Sequence, residues 1–325
     1  MSPSPTATPE GPSPAPSPEI SDPAPGGARR RRAQLAVAAA AVCFGSTFVV
    51  VQQALAQVGA APFVAVRFLM ASAALWPLAR RAPRSPGLWR DGAGPALALL
   101  AGYLLQTAGL RTVASSVSAF ITYMLVVLVP VMSAVLLRRL PPAATALGAA
   151  MAGAGLWLLT GRGVGFGVGE ALTLGSAFAF ALNIVLLGRV AARHDALRLT
   201  FVQMVVVGAG AVLPALLTGG WGFGPVSLAA ALGTAVLASA LAFWLQTLGQ
   251  RALPPASVSL LLMVEPVVAA VLGALTGVHL GGAAWAGAVV ILVGIALSEV
   301  GPGRGGSLRL RLSGSRRRPR RGRPG

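Results

Sequence analysis

Lysine is missing altogether from this chain of 325 residues. Neither the phosphate-gripping lysine of an ATP-binding loop nor a Schiff-base lysine is therefore available. Cys43 is the one cysteine, so no internal disulfide can form. His194 and His279 are the only histidines. With a single thiol they leave no ligand set for zinc, and no cofactor or metal is expected. Charge is scarce as well: 10% of residues are charged, against about 25% in soluble chains. Arginine alone carries the net charge of +18.

What is abundant is apolar. Hydrophobic residues make up 55% of the chain and the mean hydropathy is +0.75. Apolar runs of helix-spanning length recur, which places the chain among integral membrane proteins of the all-α class. Ten transmembrane helices of roughly 17–25 residues fit, near 33–56, 61–79, 95–110, 114–137, 143–160, 170–190, 199–218, 228–249, 256–276 and 283–299. Turn residues separate them, among them Pro141-Pro142, the glycines between 161 and 169, and Pro254-Pro255.

The flanks read differently. Residues 1–32 form a Pro/Ser-rich leader with a basic end, Arg29 to Arg32, and are expected to be disordered. Residues 301–325 form an Arg-rich tail, also expected to be disordered and cytoplasmic. No aromatic residue interleaves the tail arginines, so no nucleic-acid partner is expected, only attraction to the bilayer surface. With ten spans, 23 arginines fall on the side of both termini and two, Arg111 and Arg162, on the other. Both termini are therefore expected in the cytoplasm of a cell whose plasma (inner) membrane holds the protein.

One element occurs twice. Leu105-Gln106-Thr107-x-Gly109-x-Arg111 returns as Leu245-Gln246-Thr247-x-Gly249-x-Arg251. Each copy leads into an apolar helix with a proline, Pro130 in the first and Pro266 in the second, and both prolines are expected to break their helices. Gly148 and Gly155 are echoed by Gly287 and Gly294 at the same spacing, as expected of faces where helices pack closely. Five spans per copy is an odd number, so residues 33–161 and 162–300 should insert with opposite orientation, as two inverted five-helix repeats. Inverted repeats with interrupted helices are a signature of secondary transporters.

Polar groups inside the spans are few. Glu265 lies ~14 Å along its helix, near mid-membrane, where an ionised carboxylate costs several kcal/mol unless paired or hydrated. It reads as a proton or substrate group lining a cavity, or else as a neutral structural acid. Arg67 sits ~9 Å into its span and either snorkels to the interface or faces the cavity. Gln203 holds the comparable place in the second half. Gln106, Gln246, Asn183, Tyr123 and Trp244 complete the candidates, as cavity contacts or as ties between helices.

These residues resemble the EamA branch of the drug/metabolite transporter superfamily. Cys43-Phe44-Gly45-Ser46-Thr47-Phe48 looks like its aromatic-Gly-Ser opening, Arg67-Phe68-x-x-Ala71 like its second helix, Ala119-Phe120-Ile121-Thr122 through Pro130 like its fourth, and Glu265-Pro266-x-x-Ala269-Ala270 like its ninth. Gly277-Val278-His279 departs from the glycine-glutamate pair usual after the ninth helix. The resemblance implies EamA-like repeats around a central cavity and a secondary transporter, an exporter or exchanger of small metabolites. The missing ATP-binding lysine adds gradient coupling, with protons as the ion. The partners implied are a small-molecule substrate and the lipid bilayer; nothing in the sequence sets an oligomeric state. A membrane-embedded enzyme acting on lipid-linked substrates, and a passive uniporter or channel, are the alternatives.

Overall fold

A computed structural model of the chain describes residues 26–113, 118, 121–138, 142–160, 167–275 and 281–300. The described residues are helical, and among them there is no strand. The helices are α1 (Gly27–Leu55), α2 (Ala60–Ala79), α3 (Leu88–Gly109), α4 (Leu125–Leu137), α5 (Ala143–Thr160), α6 (Val168–Val190), α7 (Ala196–Thr218), α8 (Pro225–Gln250), α9 (Pro255–Leu262), α10 (Val264–Leu275) and α11 (Gly282–Val300). Five segments are long and apolar enough to cross a membrane, and three shorter apolar helices join them. His279 and the arginine tail, residues 301–325, lie outside the described residues.

Two boundaries differ from the reading of the sequence. The first helix starts at Gly27 and takes in Arg29 to Arg32, which the sequence assigned to the leader. Arginine is a good helix former, and its long stem lets the charge reach water from a helical position. The third starts at Leu88 rather than near 95, after Gly87 at φ +74°. Its first turn, with Arg90 and Asp91, is too polar for hydropathy to register.

The interruptions also shift. Pro130 lies inside a continuing helix, and the turn preceding α4 falls at Met124. In the second half α9 ends at Leu262, a turn falls at Met263, and Pro266 stands in the first turn of α10. A first-turn residue has no intrahelical partner for its N–H, so proline there starts a helix instead of ending one.

Helix pairs run antiparallel, as their contacts show. Along α2 and α7, Gly59 donates its N–H to the Gly220 carbonyl at 2.8 Å, Leu69 meets Gly208, and the Arg80 carbonyl accepts from Arg198. Along α3 and α6, Gly109 meets Gly169, Gly102 meets Phe180, and the Pro95 carbonyl accepts from Asn183.

Burial sorts the helices into two groups. One buried cluster joins α2, α3, α7 and α8 around Phe68, Leu99 and Met204. The other joins α1, α4, α5, α6, α9, α10 and α11 around Val126, Leu260 and Ile291. Phe44 of α1 and Phe180 of α6 pack against both. Each group mixes helices from before and after residue 162, so the packing units are not the two sequence halves. The seam between them holds the candidate site.

Candidate functional site

A cavity of ≈ 110 Å³ lies at that seam. Its aromatic wall consists of Phe44, Tyr103, Tyr123, Phe180 and Phe243. Its polar lining is Gln106, Thr122, Asn183, Gln246 and Glu265. Of the residues singled out from sequence, it thus gathers Glu265, Tyr123, Asn183, Gln106 and Gln246.

The aromatic wall is built twice over. Phe44 meets Phe243 edge-on with centroids 5.0 Å apart, and Phe180 meets Tyr103 edge-on at 5.3 Å. Tyr103 and Phe243 each stand three residues before their matched glutamine, Gln106 or Gln246. Phe44 precedes Phe180 by the same chain distance that separates Arg67 from Gln203. Exchanging the two copies therefore turns one aromatic pair into the other. Sequence reasoning missed four of these rings. The position of two of them relative to the repeated glutamines was the signal that could have found them.

Glu265 reaches the cavity because the helix is interrupted at Met263, which puts the carboxyl in the first turn of α10. Helix α1 comes close at this point. A Cβ on Gly45 would stand 2.6 Å from the Glu265 carbonyl oxygen and 3.0 Å from Val268 Cβ. Only glycine admits that approach. Tyr123 and Arg67 are the groups that act on the Glu265 carboxyl electrostatically, Tyr123 through its hydroxyl.

Arg67 does not snorkel. It is 5% exposed, and its Nε donates to Ser239 Oγ at 2.8 Å. Its guanidinium lies 5.3 Å from the Phe68 ring centroid and 5.4 Å from that of Tyr103. It stands behind the aromatic wall rather than in the lining. Ser239 belongs to a π-helical stretch of α8, Ala235–Leu241. Such stretches frequently occur at functional sites. Gln203 is fully buried behind Asn183 and accepts from it at 3.1 Å. Its Nε2 has no partner among the described residues. Trp244 is half-buried on α8 and does not line the cavity.

A second polar cluster lies away from the cavity, where the α2–α3 connection meets the start of α7. His194, 3% exposed, bonds Ser85 Oγ through Nδ1 at 2.6 Å and Asp91 Oδ2 through Nε2 at 3.0 Å. Arg193 stands 3.3 Å from the same carboxylate. The hydrogen bond from His194, with the nearby guanidinium of Arg193, holds the Asp91 carboxyl below its ordinary range. Arg198 Nε donates to the Ala82 carbonyl at 2.7 Å. Both of His194's ring nitrogens are spent on tying three segments together. No metal-binding group of His, Cys, Asp and Glu is found among the described residues.

Comparison with known proteins places this geometry. The model of the EamA-like transporter family matches residues 31–161 and again residues 167–299. A protein of Archaeoglobus fulgidus described as an uncharacterized transporter is 30% identical over 183 residues, 56% of this chain and 57% of that one. The chain thus spans somewhat over half the length of that relative. A crystal structure of a protein superposes with a TM-score of 0.71 over 82% of this chain and 96% of the other. At 20% identity that likeness speaks for the fold alone.

Proposed function

Because the chain belongs to the EamA-like transporter family, we propose that it is a secondary transporter carrying small polar or amphipathic metabolites across the cytoplasmic membrane by alternating access. It acts as an exporter or exchanger and takes its energy from the proton gradient. The observation that carries this reading is the cavity between two packed helix groups, with the Glu265 carboxyl at a helix interruption on its wall.

In this reading the chain crosses the membrane ten times as two inverted repeats, with both termini in the cytoplasm. The antiparallel pairing of α2 with α7 and of α3 with α6 supports the inversion. So do Arg251, near Gly249 and the start of α1, and Arg111, which flanks a second cavity with Leu55 to Ala60 at the end of α1. The moving bodies are the two mixed helix groups, which meet at Phe44 of α1 and Phe180 of α6, packed against both.

Glu265 is the coupling group. A carboxylate at this depth must be neutralised by a proton, by Arg67 or by a bound cation. Opening to one side admits water and lets the proton leave; opening to the other reloads it. Arg67, fixed by Ser239, offers the carboxylate a standing counter-charge between those events. Purified protein in liposomes, with a metabolite panel and an imposed pH gradient, tests the reading directly. Gradient-driven accumulation of some solute supports it, and equal leakage from empty and loaded vesicles contradicts it.

A further inference from the structure

The amides that line the cavity share one orientation. Asn183 Nδ2 donates to the Pro95 carbonyl at 2.8 Å and to Gln203 Oε1 at 3.1 Å. A backbone carbonyl can only accept, so this contact fixes which end of the Asn183 amide is nitrogen. Gln250 Nε2 likewise donates to the Ile184 carbonyl at 2.8 Å. That leaves Gln250 Oε1 to accept from Gln246 Nε2, at 3.5 Å, and fixes Gln246 too. Gln106 Nε2 donates to Thr122 Oγ1 at 3.1 Å. Asn183 Nδ2 thus spends both its N–H groups on the protein, and Gln246 Nε2 and Gln106 Nε2 spend one each. Among the described residues no donor meets the three amide oxygens, and none of them is sealed from the cavity as an unsatisfied atom.

The lining therefore turns three amide oxygens to the cavity, beside the hydroxyls of Tyr103, Tyr123 and Thr122, which can donate or accept. Glu265 adds a carboxyl to the same wall, and five aromatic rings surround it. The nearest fixed cation, Arg67, is turned to Ser239 and the Phe68 and Tyr103 rings and does not line the cavity. An anion would find only neutral donors in the lining, and the acid of Glu265 beside it. A cation with N–H donors would find an acid, three amide oxygens and ring faces that attract positive charge.

Resting on the transporter reading above, we infer that the substrate is a protonated amine with N–H donors on an apolar body. The cavity, ≈ 110 Å³, is of the order that admits a benzene-sized ring. Aromatic faces attract any cation, quaternary ones included, so they do not select for N–H. The three oxygens do, because a trimethylated head would desolvate them and give nothing back. Gln203 and Gln250 take part as positioning residues: each holds the lining amide next to it with its oxygen outward.

The test is equilibrium binding of radiolabelled phenethylamine to purified protein in detergent. The competitors are its N,N,N-trimethyl analogue, its N-acetyl derivative, phenylalanine and phenylpropionate. Phenethylamine should bind at least about tenfold more tightly than the trimethyl analogue, the worth of a hydrogen bond to a charged group. The N-acetyl derivative and phenylpropionate should compete least. Asn183→Leu and Gln246→Leu, compared as monodisperse protein, should each shrink the gap between amine and trimethyl analogue, which a general folding defect would not do. Equal affinity for the two in the unaltered protein overturns the inference, as does tighter binding of phenylalanine or phenylpropionate. If no amine binds while liposomes still accumulate another metabolite, the substrate class is wrong and the transporter reading stands. If no solute accumulates at all, both fall.

Discussion

Gly155 on α5 lies against the backbone of Gly287 on α11: a Cβ on Gly155 would stand 2.7 Å from the Gly287 carbonyl oxygen. The same two helices bring Gly294 against Gly148, where a Cβ would stand 2.8 Å from the carbonyl. The later residue of one helix meets the earlier residue of the other, so α5 and α11 run antiparallel. Each glycine pair answers the other across their crossing. Small residues let backbones approach where lipid gives no hydrophobic drive between helices, so contact itself must hold the pair.

Side chains added at this crossing should be costly. Gly155→Leu and Gly294→Val are each expected to destabilise the protein by roughly 1–3 kcal/mol, the range for overpacking. Gly233, a helical glycine with nothing within 4 Å of a built Cβ, is the control. Gly233→Ala should be neutral or stabilising, by up to about 1 kcal/mol. Thermal unfolding in detergent, followed by loss of monodisperse protein, reads the difference. Equal midpoints for Gly155→Leu and Gly233→Ala would contradict the packing.

Much of this architecture was legible in the sequence. The twin glycine pairs and the repeated Gln106 and Gln246 mark a chain used twice, and the structure sets each glycine pair against its counterpart. The interruptions were harder to place. Proline shows that a helix is perturbed, but Pro266 stands in a first turn and Pro130 inside a continuing α4, and only the backbone tells which. Phe44 and Phe180 were missed as cavity residues because an aromatic in an apolar run reads as lipid-facing or core. The bond between Arg67 and Ser239 was hidden for a different reason: it joins residues far apart in the chain, one of them in a π-helical stretch that no local pattern announces.

The arginine distribution yields a topology test. A periplasm-active reporter fused after Gly325 should stay silent, and one inserted between Gly219 and Gly224 should be active. The reverse pair of results would invert the orientation, and identical results would remove the expected number of crossings.

The Asp91–His194–Ser85 tie should make stability depend on acid. The Asp91 carboxyl is held below its ordinary range by His194 and Arg193. A carboxyl lowered in the folded state contributes stability above its unfolded value, near 3.9. That contribution is lost as pH falls through the folded value. Asp91→Asn should therefore lower the unfolding midpoint at pH 7, and the gap from the unaltered protein should close as the medium is made strongly acidic. A gap that stays constant across that range would show that Asp91 contributes by packing alone.

Gly45 controls how closely α1 approaches the interrupted helix. Gly45→Ala places a methyl 2.6 Å from the Glu265 carbonyl oxygen, so the Glu265 backbone must move. Transport per molecule should fall at least about tenfold, since misplacement of a site by about 1 Å costs more than it appears, while membrane abundance stays near normal. Unchanged transport would mean that the position of Glu265 is not critical.

The central claim is that the Glu265 carboxyl couples proton movement to substrate movement. Glu265→Gln keeps the shape of the side chain and removes its ability to take up and release a proton. In liposomes carrying an imposed pH gradient, the variant is expected to lose accumulation of substrate against its gradient and to keep downhill exchange. Accumulation by Glu265→Gln at the rate of the unaltered protein would contradict the account and leave the carboxyl a structural group.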